Sequence, residues 1–269
     1  MTTTTQQAKQ QTTLSPLQQA TDAATLVQLK AMGFSDDIAP TPRRLICAVG
    51  GREFSGKTHF AFTAPGPIIF FDVDIGTEGV VNKFQGKGKQ IFIYPVSVPK
   101  GADTSKDVYS ALWAETTARI KKAYTLKRGT VVWDTETEIN ELARLANFGK
   151  LTQVMPHNYA KVNRELRDIM DWAYDSTMNS IFIRKMKPKW VNNARTSDYE
   201  EQGWGDMEYK CQVNLTMYRE DTESGPEFCA LIRKSRQNPN ISNVVLRGPM
   251  NTFEFLLNLV HGKQEADRL

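Results

Sequence analysis

The chain has 269 residues, 40% of them apolar and 24% charged, with 34 Lys+Arg against 30 Asp+Glu and a net charge of +4. That length fits one large α/β domain with a modest appendage, and the charge is only a weak hint of an anionic partner. Cys47, Cys211 and Cys229 are scattered, odd in number and without C-x-x-C spacing, so neither a disulfide framework nor a zinc site is suggested, and with a polar N-terminus and no run of about 18 apolar residues, a cytoplasmic location without membrane contact is expected.

Residues 1–14 are Thr/Gln-rich and expected to be disordered. Residues 15–43 read as an N-terminal helix and linker, with Ser15 as a cap, Pro16 in the first turn, Gly33 as a stop and 36–42 as the linker. A core over 44–262 follows, and 263–269 form a short tail. Strand and helix signals alternate from Leu45, which predicts a parallel sheet with helices on its faces. Ile68–Val73 and Ile91–Val96 are continuous apolar runs, as expected of strands buried on both faces. Helices are predicted over Asp107–Lys122 and 158–175, and strands over Thr130–Trp133 and Ser180–Ile183. Val213–Tyr218, Phe228–Arg233 and Ile241–Leu246 then read as an antiparallel extension, followed by a helix carrying Phe253, Leu256, Leu257 and Val260.

Between the first strand and an apolar helical segment lies GREFSGKT, with Gly51, Gly56, Lys57 and Thr58 at the G-x-x-x-x-G-K-[ST] positions. Glycines let successive N–H groups converge on a phosphate; Lys57 supplies charge and Thr58 an oxygen for Mg²⁺. The whole segment Gly51, Arg52, Glu53, Phe54, Ser55, Gly56, Lys57, Thr58 and His59 is therefore expected to hold ATP. VVWD at 131–134 places Asp134 at a strand end, where it completes the Mg²⁺ site or caps the next helix. FFDVDIGTE supplies Asp74, first, and Glu78, second, as the carboxylate that activates water; the alternative is that Asp72 and Asp74 serve loop N–H groups. His59, His157 and His261 have no partners at metal-ligand spacing.

RKMKPKW and the stretch after it interleave cations with aromatics: Arg184, Lys185, Lys187, Lys189, Trp190 and Arg195. That pattern suits single-stranded DNA, with phosphates on cations and bases on rings. The competing reading is a solvated loop, since Asp198, Glu200, Glu201 and Asp206 lie in the same stretch.

GREFSGKT resembles the G-P-E-S-S-G-K-T loop of RecA-like recombinases, sharing Glu53 and Ser55. FFDVD resembles their catalytic Asp-x-Glu segment, and VVWDT their second nucleotide motif. The resemblance covers roughly 44–247 and is most specific to compact RecA-like ATPases of bacteriophages, also in NYAKVNRELRDIM and LIRKSRQ. It implies an α/β RecA-like P-loop core, with a mostly parallel sheet and an antiparallel C-terminal extension. It also implies ATP hydrolysis with Mg²⁺ and single-strand annealing or recombination in a bacterial host cell. The expected assembly is a homo-oligomeric ring or filament beside a single-strand-binding protein. In such assemblies a basic pair near Lys234 and Arg236 reaches a neighbour's ATP; a solvent-exposed strand end is the alternative. Asp74 stands where the family has Glu, one methylene shorter. A small-molecule or nucleotide kinase, which would need an Arg-rich lid, and a nucleotide-gated module with little turnover are the competing functions.

Overall fold

The computed structural model describes residues 16–35, 43–85, 87–101, 104–151 and 153–262. The expectations for residues 1–14, for Ser15, for the linker 36–42 and for 263–269 lie outside the described residues. The chain divides into two compact units, Met1–Thr41 and Pro42–Leu269. Of the first, the described element is α1 (Pro16–Ala31). Its end is built on Gly33 at φ +89°, where the Phe34 N–H donates to Leu29 O and the Gly33 N–H to Lys30 O, both at 3.0 Å. This paired closure needs a left-handed residue, which glycine supplies without a Cβ clash.

The second unit starts with β1 (Ile46–Gly51), α2 (Lys57–Phe62), β2 (Ile68–Asp72), α3 (Asn82–Gln85) and β3 (Ile91–Pro95). Next come α4 (Lys106–Ala123), β4 (Thr130–Asp134), α5 (Glu136–Phe148), α6 (Ala160–Asp175) and β5 (Asn179–Arg184). A hairpin, β6 (Met186–Val191) and β7 (Ala194–Glu201), precedes α7 (Met207–Lys210), β8 (Val213–Thr222), β9 (Gly225–Ser235), β10 (Val245–Arg247) and α8 (Phe253–His261). Eight strands form one sheet in the order β10-β9-β8-β1-β5-β4-β2-β3. From β8 to β3 all neighbours are parallel; β8, β9 and β10 are joined antiparallel. The fold is α/β with a mostly parallel central sheet and an antiparallel C-terminal extension.

Two apolar layers explain why the central strands read as unbroken apolar runs. Phe71, Val131, Trp133 and Phe182 face α4, α5 and α6, and pack with Ile120, Leu142 and Ile169. Phe70, Val132, Ile181 and Ile183 face the other way, toward Phe60, Phe62, Phe253 and Leu256 of α2 and α8. Side-chain alternation sends neighbours in sequence to opposite layers, so both must be apolar.

Four expectations are corrected. The run at 91–96 is not buried on both faces: β3 is the sheet edge, and Phe92 is 61% exposed. The segment 241–246 is not one strand, because Pro239–Ile241 forms a 3₁₀ turn and Asn243 at φ +68° delays pairing until Val245. The helix after Asp134, α5, is capped not by Asp134 but by Thr135, which accepts the Glu138 N–H at 3.3 Å, in the spacing of a capping box. The stretch after Arg184 is a hairpin rather than a loop. Its two-residue turn, Asn192–Asn193, has both φ values positive (50° and 61°), as the turn that matches strand twist requires.

Phe70→Ala is expected to cost about 3–5 kcal/mol in urea unfolding, whereas Phe92→Ala should stay within about 0.5 kcal/mol. Comparable losses would contradict the placement of β3 at the edge.

Candidate functional site

β1 is wholly buried and central, so the loop leaving it emerges at the C-terminal end of the parallel strands, where ligands of α/β sheets collect. The loop turns through Phe54 (φ +57°) and Gly56 (φ +87°) into α2. Gly51 has no room for a side chain: a Cβ would lie 2.6 Å from both Met217 O and Ser55 Oγ. Lys57 Nζ donates to Gly51 O at 2.8 Å and Arg52 O at 2.6 Å, and Ser55 Oγ donates to Arg52 O at 2.8 Å. Burial pulls the Lys57 ammonium below its ordinary value, while Asp134, Asp74 and Glu53 act in the opposite sense.

β4 ends beside β2 with Asp134 paired to Asp72, so two acids leave adjacent strands together. They have different partners. Asp72 accepts the Gly76 N–H at 3.1 Å and the Thr77 hydroxyl, and so shapes its own loop. Asp134 Oδ2 accepts the Thr58 hydroxyl at 2.8 Å. Burial pushes the Asp134 carboxyl up to about 6; Asp72 and Asp74 add to this, and Thr58 and Lys57 oppose it. A hydroxyl and a carboxylate on one wall are hard oxygen donors, the set that suits Mg²⁺. Gly76 closes over them, since a Cβ there would stand 3.0 Å from Asp134 Oδ2.

These groups line a cavity of about 1420 Å³ that also takes in Glu53, Phe54, His59, Asp74 and Glu78. His59 packs its ring edge-on to Phe84. Arg52 contributes its carbonyl, and its guanidinium lies over Tyr199. Asp74 is half exposed and its Oδ1 is 3.0 Å from Lys185 Nζ, which also meets Glu138 Oε1 at 2.6 Å. Burial works against the Lys185 charge, but the bonds to Glu138 and Asp74 outweigh it and raise the pKa. Lys185, expected on nucleic acid, thus belongs to this cavity. Sequence reading also missed Phe228, Asn251 and Gln202 on its walls. Gln202 follows the end of β7, Phe228 lies on β9 and Asn251 in a later turn, and no local pattern marks them.

Arg184, also expected on nucleic acid, is buried at 2% exposure. Its Nε lies 3.3 Å from Glu136 Oε2, its Nη1 is bonded to Glu201 and 3.5 Å from Glu208, and its Nη2 donates to Trp204 O at 3.3 Å. Arg233 adds a second guanidinium, 2.7 Å from Glu208. Burial pushes Glu136 up to about 7 despite Arg184, and raises Glu201 as well. The other expected nucleic-acid residues, Lys187, Lys189, Trp190 and Arg195, do share one element, the β6–β7 hairpin. Trp190 is 62% exposed, and Lys187 is paired with Glu200 at 3.2 Å.

Lys234 and Arg236 are not at the cavity of their own chain. Lys234 Nζ donates to Glu208 O at 2.7 Å and Arg236 Nη2 to Tyr209 O at 2.6 Å, closing the end of α7. They share a second recess with Tyr174, Tyr209 and Lys210. Among the described residues no helix is long and apolar enough to cross a membrane.

Fold and site together define an α/β protein with a phosphate-loop site at the end of its parallel strands. No family profile matches the chain, and no curated protein does. Among solved structures it is similar to a KaiC-like protein from the hyperthermophilic archaeon Pyrococcus horikoshii OT3, at 16% identity over 76% of this chain and 89% of that one, with a TM-score of 0.40. A likeness of that degree carries no argument about activity, which rests on the site itself.

Folded Glu136 keeps its proton up to about 7, whereas the unfolded carboxyl loses it near 4.5. The folded state therefore binds more protons in that window, and stability falls as pH rises through it, by about 3 kcal/mol. Glu136→Gln should reduce the slope of urea midpoint against pH from about 5 to 8 by roughly two-fifths, Glu201 and Asp134 retaining the rest. An unchanged slope would contradict this reading.

Proposed function

We propose that the chain binds ATP with Mg²⁺ at the Gly51–Thr58 loop, hydrolyses it, and acts on single-stranded DNA through the β6–β7 hairpin. The observation that carries the nucleotide reading is the 2.8 Å contact of Thr58 with Asp134 beside the Lys57 loop. It brings a hydroxyl from the start of α2 to a carboxylate at the end of β4, next to the Lys57 ammonium. Thr58 and Asp134 would hold Mg²⁺, whose bound charge offsets that of the phosphates. Lys57 protons now shared by the Gly51 and Arg52 carbonyls are available to a phosphate in exchange. The large cavity beyond the loop, walled by Phe228 and Asn251, has room for a nucleoside.

For hydrolysis Asp74 is the carboxylate at hand: it faces the cavity, 3.0 Å from Lys185 Nζ, where it would orient or deprotonate the attacking water. The same contact supports a second reading, a nucleotide-gated module with little turnover, because Lys185 and a short side chain both restrain Asp74. Glu78 also lines the cavity and is the second choice. No observation favours a kinase.

Support for single-stranded DNA comes from the hairpin, which carries Lys187, Lys189 and Arg195 with an exposed Trp190 on an element outside the main sheet. The resemblance to phage RecA-like ATPases extends this to annealing, recombination or replication in a bacterial host. There the protein would work as a ring or filament with a single-strand-binding protein. In such an assembly Lys234 and Arg236, remote from their own cavity, would serve a neighbour's.

Lys57→Ala is expected to lower ATP turnover at least 100-fold, read as phosphate release; turnover within about threefold of wild type would sink the ATPase assignment. Replacing Lys187 and Lys189 together by Ala should weaken oligo-dT binding and reduce the slope of log affinity against log salt by about 1–2. Unchanged affinity and slope would move the DNA site off the hairpin.

A further inference from the structure

We infer that the hairpin and the phosphate loop are mechanically joined by a stack of Arg52 on Tyr199, which makes Tyr199 a positioning residue for the loop. The inference rests on the reading that the loop takes a nucleotide and the hairpin single-stranded DNA. The Arg52 guanidinium carbon lies 4.4 Å from the Tyr199 ring centroid, well within the range of a cation–π contact. Arg52 therefore has two attachments. Its side chain sits on the hairpin, and its carbonyl accepts Lys57 Nζ at 2.6 Å and Ser55 Oγ at 2.8 Å inside the loop.

A second contact fixes the hairpin's root to the same part of the sheet. Glu201, the last residue of β7, packs on the bare backbone of Gly50 so closely that a Cβ there would stand 2.3 Å from its Oε1. Gly50 is in register with Arg184, which holds Glu201 from the other side. Residues 199 and 201 share one face of β7, by the two-residue period of a strand. Tyr199 and Glu201 thus form one face of the hairpin that leans on β1 and its loop. Glu200 belongs to the opposite face, where it pairs with Lys187. The hairpin is a slat with the loop on one side and at least one of its cations on the other.

The consequence follows from hydrogen-bond competition. A phosphate that draws the Lys57 ammonium takes protons from the Arg52 carbonyl, and residue 52 must then find a new balance between loop and Tyr199. Loading the hairpin tilts Tyr199 and acts on Arg52 in return, because coupling between two sites is reciprocal. An exposed stack of this kind sustains a coupling of about two- to fivefold in affinity.

The test measures the affinity of the full-length protein for fluorescent oligo-dT by anisotropy. Readings are taken with Mg²⁺ alone and with Mg²⁺ plus a non-hydrolysable ATP analogue, and analogue binding is measured separately. Wild type and Tyr199→Phe, which keeps the ring, should show a nucleotide-dependent change of about two- to fivefold. Tyr199→Leu and Arg52→Gln, which remove the stack from opposite sides, should reduce that change to within error. Retention of the change in both of these variants, or its absence in a wild type that binds both ligands, would overturn the coupling alone. A wild type that binds no analogue or no oligonucleotide would overturn the parent reading and the coupling with it.

Discussion

One constraint organises the site: the loop-bearing strand β1 and the acid-bearing strand β4 are separated in the sheet by a single strand, β5. Because all three are parallel, their C-terminal ends open on the same edge, and the residues just past those ends converge. Thr58 and Asp134 meet at 2.8 Å for this reason, although 76 positions apart in sequence. The buried apolar layers on both faces hold the three strands in register. Asp134 is kept in a desolvated place where its charge is costly, and its raised pKa is the measure of that cost. A cation offers such a carboxylate the compensation that burial denies it.

Much of this is legible in the sequence. The glycine-lysine-threonine spacing, the β-branched strand ending in Asp134, and the acidic end of β2 are local patterns with local causes, and all three lie at one site. What was illegible depends on tertiary placement. Nothing in RKMKPKW says that Arg184 points inward to three glutamates while Lys185 turns toward Asp74. That split follows from strand alternation at the end of β5, where one residue faces the core network and the next the cavity. Phe228 and Asn251 arrive from β9 and a later turn and carry no pattern of their own. β3 was misread for a related reason: an apolar run specifies a strand, but its position at the edge is set by topology. α5 and the hairpin turn were readable in principle, from the Thr135–Glu138 capping box and the Asn192–Asn193 pair.

The buried Arg184 network has a different standing. Glu136 starts the helix that follows Asp134, Glu201 ends the hairpin, and Glu208 sits on α7, so one guanidinium ties three elements to the end of β5. Buried ion clusters add little net stability because desolvation offsets the attraction, and replacing one partner leaves the others uncompensated. Here the cluster fixes orientation: it holds the hairpin root, Glu201, against Gly50. The Gly51–Thr58 loop and the hairpin are thus adjacent, even though their sequences are far apart.

The most direct test of the central claim is calorimetric titration of the purified protein with ATP in the presence and absence of Mg²⁺. One ATP bound per chain, with affinity that falls on removing Mg²⁺, is the result this site predicts. No detectable ATP binding at millimolar ligand, with Mg²⁺ present and the protein folded, would contradict it.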